Sequence, residues 1–223
     1  MALKIPRQPK CDPAQMDRVL KKLAAGYEID RFKKMNGEDP FRILISCLIS
    51  LRTKDEVTFP ATDRLFDRAL DPRSMIRLRE ATIAKLIYPA GFYRVKAGQI
   101  RAICRMLIDE WDGEVPSEID ELIRLPGVGR KTANLVVTLG FGLPGICVDV
   151  HVHRIAHRFG WVRTKNPDQT EFALRRSLPE RWWIPINETL VRHGQQLCKP
   201  LSPICSACKV ESECPKRGVD RRR

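Results

Sequence analysis

The stretch Leu125-Pro126-Gly127-Val128-Gly129-Arg130-Lys131-Thr132-Ala133-Asn134 decides how the rest of the chain is read. It closes one helical pattern, Pro116 to Arg124, and opens another, Thr132 to Leu139. Between them stand a proline, two glycines and no acidic residue. Gly127 and Gly129 are free to take φ > 0 and to let another backbone come close. The helix that follows starts with unpaired N–H groups and the positive end of its dipole, which together attract an anion. Arg130 and Lys131 add two formal charges there. An ordinary helix–helix turn needs none of these in combination. Their convergence predicts a clamp for a nucleic-acid phosphate.

Charge supports the same partner. Lys and Arg number 40 against 27 Asp and Glu, a net charge of +13, and the basic residues recur along the whole chain. Such a balance favours a polyanion, though composition alone does not separate nucleic acid from an acidic membrane. No apolar run approaches the roughly 18 residues needed to span a bilayer. The basic arm Met1 to Lys10 lacks the apolar core of a signal peptide. The expectation is a monomeric, cytoplasmic protein, nucleoid-associated if prokaryotic, with no membrane partner. The hydrophobic share, 43%, supports a packed core in one domain or two.

Outward from the hairpin the chain reads as all-α. Asp12-Pro13 and Asp39-Pro40 each supply an N-cap and a proline for the first helical turn. The first predicts a helix to about Ala25; the second predicts a very apolar, buried helix, Phe41 to Ser50. Further helices are expected over Thr53 to Leu70 (perturbed at Pro60), Ala81 to Tyr88, Val148 to Phe159, Asp168 to Leu178 and Trp182 to Leu197. Over Tyr93 to Asp112, Val95, Ile100, Ile103, Leu107 and Trp111 recur near one face. No alternating strand pattern is evident.

Two residues invite chemistry beyond phosphate binding. Lys131 is either a phosphate ligand or a nucleophile whose neutral amine attacks a sugar carbon and forms an imine. Asp149, in Cys147-Val148-Asp149-Val150-His151, stands where a helix begins. It is an N-cap, or a carboxylate that supports positive charge growing on a sugar ring, and one role permits the other. His153 and His157 are i, i+4, but no H-E-x-x-H pattern or carboxylate pair supports a metal there; with His151 they read as structural or DNA-contacting. Of eight cysteines, Cys47 and Cys104 sit among apolar residues as small core side chains. Cys198, Cys205, Cys208 and Cys214 crowd one short segment with spacing C-x6-C-x2-C-x5-C. Four thiolates in one loop suit a tetrahedral zinc or an iron–sulfur cluster, and spacing alone leaves both open.

Taken together, LPGVGRKTAN (125 to 134), VDVHVHR (148 to 154), GFYRVKAGQI (91 to 100), GEVP (113 to 116) and the four-cysteine spacing resemble the endonuclease III family, the iron–sulfur branch of the helix-hairpin-helix DNA glycosylases. The match runs from about Pro40 to Cys214. The resemblance implies a two-lobed helix-hairpin-helix glycosylase fold. Residues 34–144 would form a helical bundle carrying the hairpin, and residues 1–33 with 145–223 a cluster lobe, the active site lying in the cleft between them. It implies a 4Fe–4S cluster on Cys198, Cys205, Cys208 and Cys214. By position it implies Lys131 as Schiff-base lysine and Asp149 as catalytic aspartate. Gly127, Gly129 and Arg130 would grip phosphate, His151 would lie at the DNA, and Phe92 would wedge into the duplex.

Arg52 stands where many members carry glutamine, facing the gap left by an everted base; a guanidinium there suits an orphan guanine. The implied activity is a bifunctional glycosylase and AP lyase of base excision repair. It would act on double-stranded DNA containing oxidised pyrimidines or abasic sites, through a Schiff base and β-elimination. The alternatives are a monofunctional or mismatch-type glycosylase and a non-catalytic helix-hairpin-helix DNA-binding protein.

Overall fold

The computed structural model describes residues 6–27 and 39–223. Among them are helices, turns and loops and no strand. The first five residues of the amino-terminal arm and the expected boundary near residue 34 lie outside the described residues. Of the described residues, 39–143 make one compact unit and 6–27 with 144–223 make the other.

Helix α1, Pro13–Ala24, belongs to the second of these units. The unit 39–143 is built around helix α2, which spans Pro40–Ser50 and buries Phe41, Ile43, Leu44, Ile45, Ser46, Cys47, Leu48 and Ile49. Its start is local chemistry: Asp39 accepts from Phe41 N at 2.9 Å, and Pro40 fills a position whose N–H has no helical partner. Each large aliphatic side chain buried here contributes roughly 1.5–3 kcal/mol. The one buried hydroxyl of α2, Ser46, is met by Thr62 Oγ1 at 3.3 Å. Around α2 pack α3 (Asp55–Phe66), the short α4 (Pro72–Met75), α5 (Glu80–Ile87), α6 (Tyr93–Trp111), α7 (Ile119–Leu122) and α8 (Arg130–Leu135). Helix α3 runs through Pro60 without a break, and the proline is exposed.

Three expectations need correction in this unit. The helix expected over Pro116 to Arg124 is only Ile119–Leu122. Glu118 is extended, and after Leu122 the chain tightens into i→i+3 turns that carry Leu125 into the core, where it is 2% exposed. The helix expected from Thr132 begins two residues earlier and becomes π-helical over Val136–Gly140. Thr138 bonds back to Asn134 O at 2.7 Å, and Gly140 lies so close to Pro40 that a Cβ would sit 3.0 Å from its Cα. On α6 the buried face holds Lys96, 3% exposed, while Val95 is 61% exposed.

In the other unit, Met16, Val19, Leu20 and Leu23 of α1 share a core with Ile146, Val148, Val152, Ile155, Phe159, Trp161, Trp182, Ile186 and Leu190. Asp12 caps α1 through Ala14 N at 2.9 Å, as the sequence predicts. Asp17, almost buried on the same helix, accepts from Trp182 Nε1 at 2.7 Å and pairs with Arg181 and Lys21. The Trp182 bond and the two cations hold its carboxyl well below the usual carboxylate range. Helices α9 (Val150–Arg158), α10 (Pro167–Leu174) and α11 (Ile186–Gln196) complete the frame, and the cysteine loop follows α11.

Candidate active site

The hairpin is a type II turn followed directly by a helix start. Val128 N donates to Leu125 O at 3.1 Å, Pro126 takes the second position, and Gly127 takes the third with φ +79°. A Cβ on Gly127 would stand 2.8 Å from Gln99 Nε2 and 3.0 Å from the buried Leu48 Cδ1. Conformation and space therefore both require glycine. Gly129 differs from what the sequence suggested. Its φ is −96°, it is the N-cap of α8, and a Cβ there would meet nothing within 4 Å. Gly129 is exposed, and the space a side chain would take there is open.

Arg130 and Lys131 are the first two residues of α8. Arg130 is half-buried and pairs loosely with Asp120 at 3.8 Å. Lys131 is exposed, and its charge reaches the buried Cys47 thiol. Burial drives that thiol up to about 12, with Lys131 pulling the other way. Cys47 is a core side chain, as expected, and so is Cys104.

In the same unit the structure brings Arg52 and Phe92 together. The Arg52 guanidinium lies 5.1 Å from the Phe92 ring centroid. Both residues have left-handed backbones, φ 55° and 57°, and both are exposed, Phe92 by 59%. An exposed phenylalanine held in a strained conformation has no packing reason to be there.

In the unit 6–27 with 144–223, Asp149 is the N-cap of α9. Its Oδ1 accepts from His151 N and Val152 N, each at 2.8 Å. The cap occupies one carboxylate oxygen, fixing the direction of the other. His151 is half-buried: its Nδ1 faces Arg154 Nη2 at 3.0 Å, and its ring lies against Gly194, where no Cβ would fit. His153 and His157 are structural. They bond Thr170 Oγ1 at 2.7 Å and Thr164 Oγ1 at 2.9 Å, and the two threonines bond each other.

Helix α9 is fastened to the cysteine loop by two arginines. Arg154 donates to Cys198 O at 3.0 Å. Arg158, 6% exposed, donates to Cys198 Sγ at 3.1 Å, Lys199 O at 2.8 Å and Pro200 O at 2.5 Å. Cys198, Cys205, Cys208 and Cys214 line one small pocket. His193 lies beside it, with Cys208 Sγ 3.9 Å from its Nε2. Burial pushes the Cys208 and Cys214 thiols up and the His193 imidazole down to about 4. Among the described residues no three His, Cys, Asp or Glu converge as single-ion ligands would.

A helical protein with this hairpin, an exposed lysine in the first turn after it and a capped aspartate opening another helix is of the helix-hairpin-helix DNA-repair class. Residues 45–180 match the family described as HhH-GPD superfamily base excision DNA repair protein. Endonuclease III of Thermotoga maritima is 44% identical over 187 residues, 83% of this chain and 88% of that protein. Among solved structures, a non-covalent Endonuclease III–DNA complex matches with a TM-score of 0.83 at 33% identity, covering 93% of this chain and 97% of that one. A trapped Endonuclease III–DNA covalent intermediate matches with a TM-score of 0.80 at 34% identity and the same coverage. The chain belongs to the HhH-GPD superfamily, within its endonuclease III family, and is a base excision repair enzyme, a DNA glycosylase and AP lyase. No described helix is long and apolar enough to cross a membrane.

Proposed function

We propose that this enzyme removes oxidised pyrimidines from double-stranded DNA and then cleaves the strand at the resulting site, with Lys131 as nucleophile. The neutral Lys131 amine attacks the anomeric carbon of the sugar as the glycosidic bond breaks and the base departs. Asp149 supports the positive charge that grows on the ring. Ring opening gives an imine between Lys131 and the sugar. Loss of a proton from the adjacent carbon then expels the 3′ phosphate, and water releases the unsaturated sugar from Lys131. Gly127, Gly129 and Arg130 hold a backbone phosphate, while Arg52 and Phe92 enter the duplex. An inserted ring offsets part of the few kcal/mol that extruding a base costs.

The observation that carries this reading is the exposed Lys131 in the first turn after a glycine hairpin whose outward side is open. Borohydride reduction tests it: the wild-type chain is expected to form a covalent adduct with DNA containing an abasic site or an oxidised pyrimidine, and Lys131→Gln to form none. An undiminished adduct in the variant removes Lys131 as nucleophile.

The cysteine loop fits a 4Fe–4S cluster. The four cysteines line one pocket, and four thiolates in one short loop are the donor set such a cluster takes. Cys198, Cys205, Cys208 and Cys214 would hold the cluster, which supplies a covalent cross-link for the loop. Arg158 keeps its contact to Cys198 Sγ, and Lys199 and Lys209 stay on the exposed side of the loop for phosphate. Purified protein is expected to be brown and to contain iron; a colourless, zinc-loaded protein with full activity overturns the assignment. We place the enzyme in the cytoplasm as a monomer.

A further inference from the structure

Neither the hairpin nor the nucleophile uses Lys96, a charged side chain sealed into the core of its unit at 3% exposure. Its Nζ donates to Ile49 O at 2.7 Å, Leu51 O at 2.6 Å and Thr53 Oγ1 at 3.1 Å. An ammonium has three N–H bonds, and these use all of them. No carboxylate pairs with it among the described residues. Burying an unpaired charge is costly, and a neutral side chain would fill a core position at lower cost. The charge supplies a tie to carbonyls at the carboxy-terminal end of α2, where a cation is favoured.

Those carbonyls lead into a strained turn. Thr53 N bonds Ser50 O at 3.0 Å, Leu51 has φ −56° and ψ 117°, and Arg52 has φ 55°. This is a type II turn with arginine where glycine or asparagine is usual. A left-handed arginine costs roughly 1–2 kcal/mol, so the surroundings must hold it. Lys96 holds it from below. Gly91 closes from the other side: its N–H donates to Thr53 Oγ1 at 3.0 Å, and a Cβ on it would come within 2.6 Å of Arg52 O. The next residue is Phe92, also left-handed. The two strained tips are thus locked back to back, with guanidinium and ring stacked and exposed.

We propose that Lys96 is a positioning residue for base eversion: its ammonium fastens the 50–53 turn to the 91–92 turn, so that Arg52 and Phe92 meet the duplex as one rigid blade. This rests on the reading of the chain as an enzyme acting on duplex DNA. Lys96 itself touches no nucleic acid.

Lys96→Met keeps length and an apolar fit, and Thr53→Val removes the shared acceptor without changing charge. Folding of both is checked by thermal melting. Eversion is read by 2-aminopurine fluorescence beside an oxidised pyrimidine in duplex DNA, with single-turnover base release measured in parallel. Borohydride trapping on an abasic site in single-stranded DNA, where no base needs eversion, is the comparison. In Lys96→Met, eversion and duplex base release are expected to fall about ten- to hundredfold, as a small misplacement of positioning groups does, against a change of less than about threefold in single-strand trapping. Thr53→Val should move the same way by about threefold or more, and it decides the matter if Lys96→Met does not fold. Folded variants with wild-type eversion, or with equal losses on duplex and single strand, overturn the positioning role alone. A wild-type chain that never traps overturns the enzyme reading, and this role with it.

Discussion

Substituting the two hairpin glycines one at a time should separate folding from DNA binding. Gly127 has φ +79°, and a Cβ there would press on Gln99 Nε2 at 2.8 Å and Leu48 Cδ1 at 3.0 Å. An alanine in the left-handed region costs roughly 1–2 kcal/mol. The Gln99 amide is the end of a flexible side chain and can give way, but Leu48 is fully buried in α2. Crowding a packed core adds about 1–3 kcal/mol. Gly127→Ala is therefore expected to lose about 2–5 kcal/mol, read as a lower urea midpoint at unchanged slope. Gly129→Ala has φ −96° and open space around the new methyl, so its stability should fall by less than about 1 kcal/mol. Its methyl, however, would enter the open space beside the hairpin in which the proposed phosphate sits. In fluorescence anisotropy with an uncleavable abasic-site duplex, Gly129→Ala should bind about tenfold more weakly, one lost or lengthened charge-assisted contact being worth about 1.5 kcal/mol. Wild-type stability in Gly127→Ala would refute the turn assignment. Wild-type affinity in a folded Gly129→Ala would refute the clamp.

Arg158→Leu strips donors from Cys198 Sγ, Lys199 O and Pro200 O at once, and breaking such a buried charged network costs about 3–5 kcal/mol; iron content per chain should fall and the four cysteines should react faster with a thiol reagent, and unchanged iron content would count against the tie. Burial lowers the pKa of His153 and, with the same cause first, that of His157, from an ordinary value of 6.5. Below pH 6.5 the unfolded chain takes up protons that the folded pair resists, so their contribution to stability is present above 6.5 and is lost as pH falls. Urea midpoints measured from pH 7.5 down should decline more steeply for the wild type than for the double variant His153→Gln, His157→Gln, and parallel curves would exclude the pair as a source of acid sensitivity.

What the sequence made legible was local. Asp12, Asp39 and Asp149 cap helices through bonds to amides two or three residues on, and such bonds need no tertiary partner. The hairpin was legible because a proline and a glycine specify the turn that follows them. The π-helical turn at Val136–Gly140 was not, since it depends on Gly140 lying against Pro40, far away in sequence. Lys96 was missed for a related reason. Periodicity assigns a lysine to solvent and a valine to the core, and only the carbonyls of Ile49 and Leu51 reverse that order. The need for glycine at 91 was hidden too, because it comes from the Arg52 carbonyl beside it, distant in sequence. The left-handed backbones of Arg52 and Phe92 leave no trace in residue type, because neither is the glycine such conformations favour.

The unit to which α1 belongs takes its residues from both ends of the chain, whereas 39–143 is one uninterrupted segment. On a ribosome these two halves of the protein mature on different clocks. The continuous segment is complete while residues 144–223 are still untranslated, and it can condense early. Helix α1 emerges before that segment, yet Met16, Val19, Leu20 and Leu23 find their partners only once residues from 146 on have been made. Helix α1 thus waits through the synthesis of a whole unit with its oily side uncovered.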